Sequence, residues 1–248
     1  MNEEVIHYIE SIVKERPPLL AEMEQYAEAH NVPIMELVGI EALLGMLRIQ
    51  QPKRILEIGT AIGYSALRMA EALPHSTIVT LERDEERFDA AQSFLSRSDD
   101  RKRIVTLFGD ALELGEEVEN HGPFDAIFID AAKGQYLKFF ELYSEMLSEE
   151  GVVYSDNVLF KGLVAQEEVE QKRIRNMVKK LKNYNEWLMN HGQFDTSILP
   201  RSDDFTPYVF VSDDKGSTWK NISNNIPTSA VNVVVEDPEN ENLLFVGT

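Results

Sequence analysis

Between Lys53 and Asp156 the chain repeats one pattern five times. The apolar runs "RILEIG", "TIVTLE", "RIVTLFGD", "FDAIFID" and "GVVYSD" each end in an acid or a glycine and give way to a segment with helical spacing. Short apolar runs bounded in this way read as strands buried on both faces, and strands separated by helices pair in parallel. The pattern therefore predicts an α/β fold: a Rossmann-like sheet of five parallel strands over residues 51–200. Ligands of such sheets bind beyond the carboxyl ends of the strands, which directs attention to Glu57 through Gly63, Glu82, Asp110, Asp130 and Asp156.

The flanks differ in character. Residues 1–50 have apolar residues at helical spacing, broken at Pro17, Pro18 and Pro33, and predict a cap of three helices. After Gln166 comes a long helical segment, "EEVEQKRIRNMVKKLKNYNEWLMNH", followed by the strand-like "QFDTSILP". From Arg201 to the end the chain is rich in Ser, Asn, Asp, Thr and Val and offers no amphipathic helix, so residues 201–248 read as a β-rich tail foreign to what precedes it.

Composition removes several kinds of chemistry. Without cysteine there is no disulfide and no thiolate, and the five histidines are too scattered to suggest zinc, so any metal must sit on oxygen ligands. A formal charge of -19 argues against a protein that coats nucleic acid uniformly, although a local basic patch is compatible with it. No apolar run approaches the roughly 18 residues of a membrane span, and the acidic, amphipathic start is unlike a signal peptide, so the expectation is a cytoplasmic protein with no membrane partner.

In "EIGTAIGYSAL", Gly59 and Gly63 lie between a strand and a helix, where glycine permits positive φ and close backbone approach while the helix start offers free N–H groups. The spacing is not the G-x-G-x-x-G of dinucleotide enzymes, which disfavours NAD. Glu82 ends the second strand where an acid can receive ribose hydroxyls, and Asp110 ends the third where a carboxylate can meet an adenine amine; singly, each also reads as a helix cap.

Together, E-x-G-x-x-x-G, the acid ending the second strand and "FGDA" after the third resemble class I methyltransferases that bind S-adenosylmethionine. "FIDAAKGQY" followed by "YSDNVLFKG" is similar to the metal-dependent O-methyltransferases of the catechol and caffeoyl-CoA type. Over residues 1–200 the resemblance is nearest to the bacterial members that convert 5-hydroxyuridine in tRNA to 5-methoxyuridine. It implies a divalent cation, Mg2+ or another hard ion, on Asp130, Asp156 and Asn157. It implies S-adenosylmethionine against Met35, Val38, Glu57, Gly59, Gly63, Ser65, Glu82, Asp110, Ala111 and Asp130. Asp130 and Lys133 become the catalytic pair, with Lys133 placed to take the proton of the methylated hydroxyl. The first substrate expectation is 5-hydroxyuridine in tRNA, and the second is a small catechol-like or phenylpropanoid hydroxyl. For tRNA, the segment Lys161 to Lys182 supplies seven basic residues against three glutamates, and Lys172, Arg173 and Arg175 are the candidate RNA contacts; the alternative is a solvated helix face. A homodimer is also expected.

"SDDKGSTW", Ser212 to Trp219, follows the Asp-box pattern S-x-D-x-G-x-T-W and resembles the hairpin turns of sialidase-like propellers. One blade cannot bury its two faces alone, so a sugar-binding propeller is not expected, and the junction near Pro200 reads as a fusion or chimera. A carbohydrate-binding or scaffold protein using this tail is the rival of a different class. The methyltransferase family normally closes its sheet with a strand beside the fifth; here either Tyr208 to Val211 takes that strand's place or the sheet is left incomplete.

Overall fold

Along β1 (Arg54–Ile58), Ile55 and Glu57 face one side and Leu56 and Ile58 the other, and all four are buried. β2 (Thr77–Glu82) and β4 (Phe124–Ile129) pair with it in parallel on its two edges. β3 (Ile104–Phe108) lies outside β2 and β5 (Leu147–Ser155) outside β4, so the order is β3-β2-β1-β4-β5 and all five predicted strands form. This is a computed structural model, and it describes residues 3–166, 168–199, 210–211, 220–221, 233–237 and 240–247.

Helices cover both faces of the sheet. After α1 (Glu3–Ile12), α2 (Pro18–His30), α3 (Leu37–Gln50), α4 (Tyr64–Ala72) and α5 (Glu85–Leu95) build one apolar cluster around Leu44, Ile55, Leu67 and Phe94. On the opposite face α6 (Gly115–Glu119), α7 (Tyr136–Tyr143) and α8 (Lys172–Met189) enclose Leu56, Ile58, Ile127, Phe140 and Leu181. Local chemistry sets the helix ends: α2 starts on a proline and stops at Asn31 in the left-handed region, while Asp84 caps α5 by accepting the Arg87 N–H at 3.0 Å. No helix among the described residues is long and apolar enough to cross a membrane.

A polar cluster fastens the N-terminal helices to α4. Arg16 forks onto Glu24 at 2.9 and 3.0 Å, the Tyr64 hydroxyl donates to Glu24 at 2.6 Å, and Arg68 donates to Tyr64 at 2.8 Å and to Glu41.

Two expectations are corrected. α8 begins only at Lys172, because the Arg175 guanidinium folds back onto the carbonyls of Val169 and Glu170 and holds that stretch outside the helix. Gln193 to Leu199 forms no strand: Phe194 packs edge-on against Phe140 with ring centroids 5.0 Å apart, and Thr196 donates to the Leu188 carbonyl at 3.1 Å, so packing and not a ladder anchors it.

Glu4–Ile198 forms one compact unit, and the strands after Leu199 belong to another. In the second unit β6 (Phe210–Val211) pairs antiparallel with β7 (Lys220–Asn221), and β8 (Val233–Asp237) with β9 (Asn240–Gly247). Of the candidate replacement strand Tyr208 to Val211, Phe210 and Val211 are the residues paired in β6. Tyr208 and the Asp-box stretch Ser212 to Trp219 lie outside the described residues.

Strand order reverses between β1 and β4, which opens a crevice at their carboxyl ends. There Gly59 has φ 109°, and a Cβ on it would lie 2.1 Å from the Asp130 carbonyl oxygen. Gly59→Ala is accordingly expected to destabilise the chain by about 2 kcal/mol or more through backbone strain and overpacking, read as a lower urea midpoint; an unchanged midpoint would show that the two strand ends can part.

Candidate active site

Beyond β4 and β5 the ladder continues for one residue. The Asp130 N–H donates to the Ile58 carbonyl and the Asp156 N–H to the Ile129 carbonyl, each at 3.0 Å, which places two acids on neighbouring strand ends. Lys133 Nζ stands 3.6 Å from Asp130 Oδ1. Asn157 follows Asp156 in the left-handed region, φ 58°, and its Nδ2 donates to Asp156 Oδ2 at 2.5 Å. Burial and the Asp156 charge raise the Asp130 carboxyl above its usual range, with Lys133 opposing them. Two acids and an amide, with no sulfur or imidazole, form a donor set that fits a hard divalent cation. No group of three acidic, histidine or cysteine side chains that could hold a metal assembles among the described residues.

Two tyrosines that sequence spacing did not single out brace this corner. The Tyr136 hydroxyl donates to the Asp156 carbonyl at 3.0 Å, and the Tyr184 hydroxyl is 2.7 Å from Ser155 Oγ. Tyr136 ends the "FIDAAKGQY" run, but nothing in that run shows its hydroxyl reaching the end of the next strand.

On the β1 side, Glu57 is fully buried. Thr80 donates to its Oε2 at 2.5 Å, and Thr60 meets Thr80 at 2.6 Å. Its Oε1 is the one buried side-chain polar atom among the described residues without a hydrogen-bond partner. Ser65 and Thr80 favour its ionised form, while Asp130 and Glu82 disfavour it. Burial dominates and pushes the carboxyl up to about 8. A buried carboxyl oxygen without a partner leaves room for a polar group of a bound cofactor.

Glu82 accepts from the Ala61 N–H at 2.8 Å and from those of Arg83 and Asp84 at 2.9 Å. It therefore shapes the glycine turn first, and of about four lone-pair positions one remains for a ribose hydroxyl. Asp110 accepts from the Leu112 N–H at 3.0 Å and lies 3.3 Å from Arg83, and the Ala111 carbonyl accepts from Tyr143. Gly63 opens α4 at φ 84°, where a Cβ would meet Leu95 at 3.1 Å. Val38 is buried on α3 and Met35, just before it, packs against the first apolar cluster.

The candidate RNA contacts look different in place. Lys172 and Arg173 are exposed, but Arg175 holds the Val169 and Glu170 carbonyls, and Lys180 and Lys182 donate to the carbonyls of Gly134 and Gln166, each at 3.2 Å. Three of the seven basic side chains between Lys161 and Lys182 thus tie down loops.

Comparison with known proteins gives the same direction. The O-methyltransferase family model matches residues 10–208. The catechol O-methyltransferase of Niastella koreensis is 32% identical over 203 residues, covering 79% of this chain and 90% of that protein. The caffeoyl-CoA O-methyltransferase of Stellaria longipes is 27% identical over 198 residues, 75% of this chain and 81% of its own length. The crystal structure of an O-methyltransferase from Bacillus cereus in complex with SAH superposes with a TM-score of 0.68 at 29% identity, covering 76% of this chain and 86% of that one.

The buried Glu57 yields a stability test. From the ordinary carboxylate range up to about 8 the folded chain keeps a proton that the unfolded chain releases, so this group favours folding least at the top of that window. Glu57→Gln removes the dependence. The variant's melting temperature should gain on the parent's between about pH 5 and about pH 8.5; parallel curves would mean that Glu57 is ionised throughout.

Proposed function

The chain belongs to the O-methyltransferase family and uses S-adenosylmethionine, and on that premise we propose that it methylates one of two adjacent hydroxyls on a small catechol-like acceptor, with a divalent cation at Asp130, Asp156 and Asn157. The observation that carries this is the pair of carboxylates on neighbouring strand ends, with Lys133 at 3.6 Å from one of them. When bound, the cation supplies Lewis acidity and a template for two neighbouring oxygens.

The protein's own groups do the rest. Asp130 and Asp156 would hold the cation that fixes the acceptor oxygens, and Lys133, once it has given up its own proton to solvent, would receive the proton of the hydroxyl to be methylated. The oxygen then attacks the methyl carbon of the donor: the C–O bond forms as the C–S bond breaks, and S-adenosylhomocysteine leaves. The partnerless Glu57 oxygen supports placing the donor's ammonium beside the β1 turn, with Ser65 at the same helix start. Met35 and Val38 border the methionine end, and Glu82, Asp110 and Ala111 the ribose and adenine end.

The first substrate expectation, 5-hydroxyuridine in tRNA, has the same two-oxygen chemistry, because a 5-hydroxyl stands beside a 4-carbonyl. Its separate support was the basic segment, and three of those side chains hold loop carbonyls. The relatives named for catechol and caffeoyl-CoA move the reading to a small acceptor.

Asp156→Ala should weaken Mg2+ or Mn2+ binding and reduce methyl transfer by about 100-fold or more, while the affinity for S-adenosylhomocysteine measured calorimetrically stays within about two-fold. Loss of that affinity with unchanged cation dependence would reverse the roles of the two ends of the site. Assayed side by side, the parent should turn over a catechol and leave hydroxyuridine-containing tRNA unmethylated; the opposite result would restore the RNA reading.

A further inference from the structure

We infer that Lys180 and Asn185 of α8 are positioning residues for the acid site, binding together the two loops that carry it. The inference rests on the cation reading above and concerns a helix to which that reading gives no role.

The acids come from different strands, so nothing in the ladder beyond one residue fixes the loop after β4 relative to the turn after β5. α8 reaches both. Lys180 Nζ donates to the Gly134 carbonyl at 3.2 Å, and Gly134 is the residue after Lys133. Asn185 Nδ2 donates to the Val158 carbonyl at 3.0 Å, and Val158 is the residue after Asn157. Between these two contacts the Tyr184 hydroxyl meets Ser155, immediately before Asp156, while Leu181 and Tyr184 are buried in the apolar cluster below. The helix therefore cannot roll without losing its packing, and its polar side chains hold the two loops from a fixed base.

The turn after β5 needs such a hold. Asn157, Phe160 and Lys161 all adopt positive φ, at 58°, 44° and 55°, a conformation that side-chain-bearing residues keep only where surrounding contacts impose it. Val158 lies inside this stretch, and the part-buried Asn185 amide is its tie to the helix. On the other loop, Lys180 fixes the peptide that follows Gly134, one residue beyond Lys133, so the reach of the Lys133 amine toward Asp130 depends on a side chain that touches neither substrate nor cation. Contacts that orient the bearers of metal ligands commonly set affinity nearly as strongly as the ligands do.

The test uses the full chain with Lys180→Met, Asn185→Leu and both together, titrated calorimetrically with Mn2+ alone, with the melting temperature of the cation-free protein taken in parallel. The double variant should bind Mn2+ about ten-fold more weakly than the parent. Its donor KM should be unchanged while kcat falls, and Lys180→Arg, which keeps a donor for Gly134, should behave as the parent. Because Lys180 is exposed, its single variant keeps the test readable even if the Asn185 change lowers the melting temperature. Equal Mn2+ affinity in the parent and the double variant overturns the bracing role and leaves the cation reading intact. A parent that takes up no Mn2+ overturns both.

Discussion

Where β1 and β4 part, two backbones pass too close for a side chain to stand between them. Gly59 lies against the Asp130 carbonyl, and the rest of the site is measured from that contact. It brings the glycine turn, with Glu57 beneath it, beside the tip of β4, and the ladder bonds of Asp130 and Asp156 then set the second acid next to the first. The crevice that strand-order reversal opens in any doubly covered parallel sheet is thereby given one wall at the glycine turn and one at the two acids.

The acids gathered at this edge are chemically unlike one another because their partners differ. Glu82 has three backbone N–H donors and acts as a pin for the turn. Glu57 has one hydroxyl donor and full burial, and holds its proton up to about 8. Asp130 has a lysine on one side and a second carboxylate on the other, with opposed effects. Similar side chains at similar strand ends thus differ in chemistry, sorted by hydrogen-bond supply and solvent access.

The five strands were legible because burial on both faces leaves an unbroken apolar run, and the strand-end acids because such runs stop abruptly at a charge. Gly59 and Gly63 were legible as a turn, though their close neighbours, a carbonyl of β4 and a leucine of α5, were not. What spacing could not disclose depends on the reach of side chains across the fold: the Tyr136 hydroxyl on the Asp156 carbonyl, the backbone donors around Glu82, and the lysines of α8 on loop carbonyls. A basic helix face and a set of loop ties have the same composition. The segment from Gln193 to Leu199 looked like a strand because it alternates, yet it is fixed by a ring and a hydroxyl.

Apolar helix faces pack almost as well after slipping by a turn, so grease alone would leave the N-terminal helices attached without a unique seat. The cluster of Arg16, Glu24, Tyr64, Arg68 and Glu41 removes that freedom, since directional bonds between half-buried charges admit one alignment. Tyr64 opens the helix that follows Gly63, so the same alignment indexes the cap to the glycine turn. Arg68 is the buried member of this lock, so the loss of Glu41 or of the Tyr64 hydroxyl alone leaves its guanidinium short of a partner between the cap and α4.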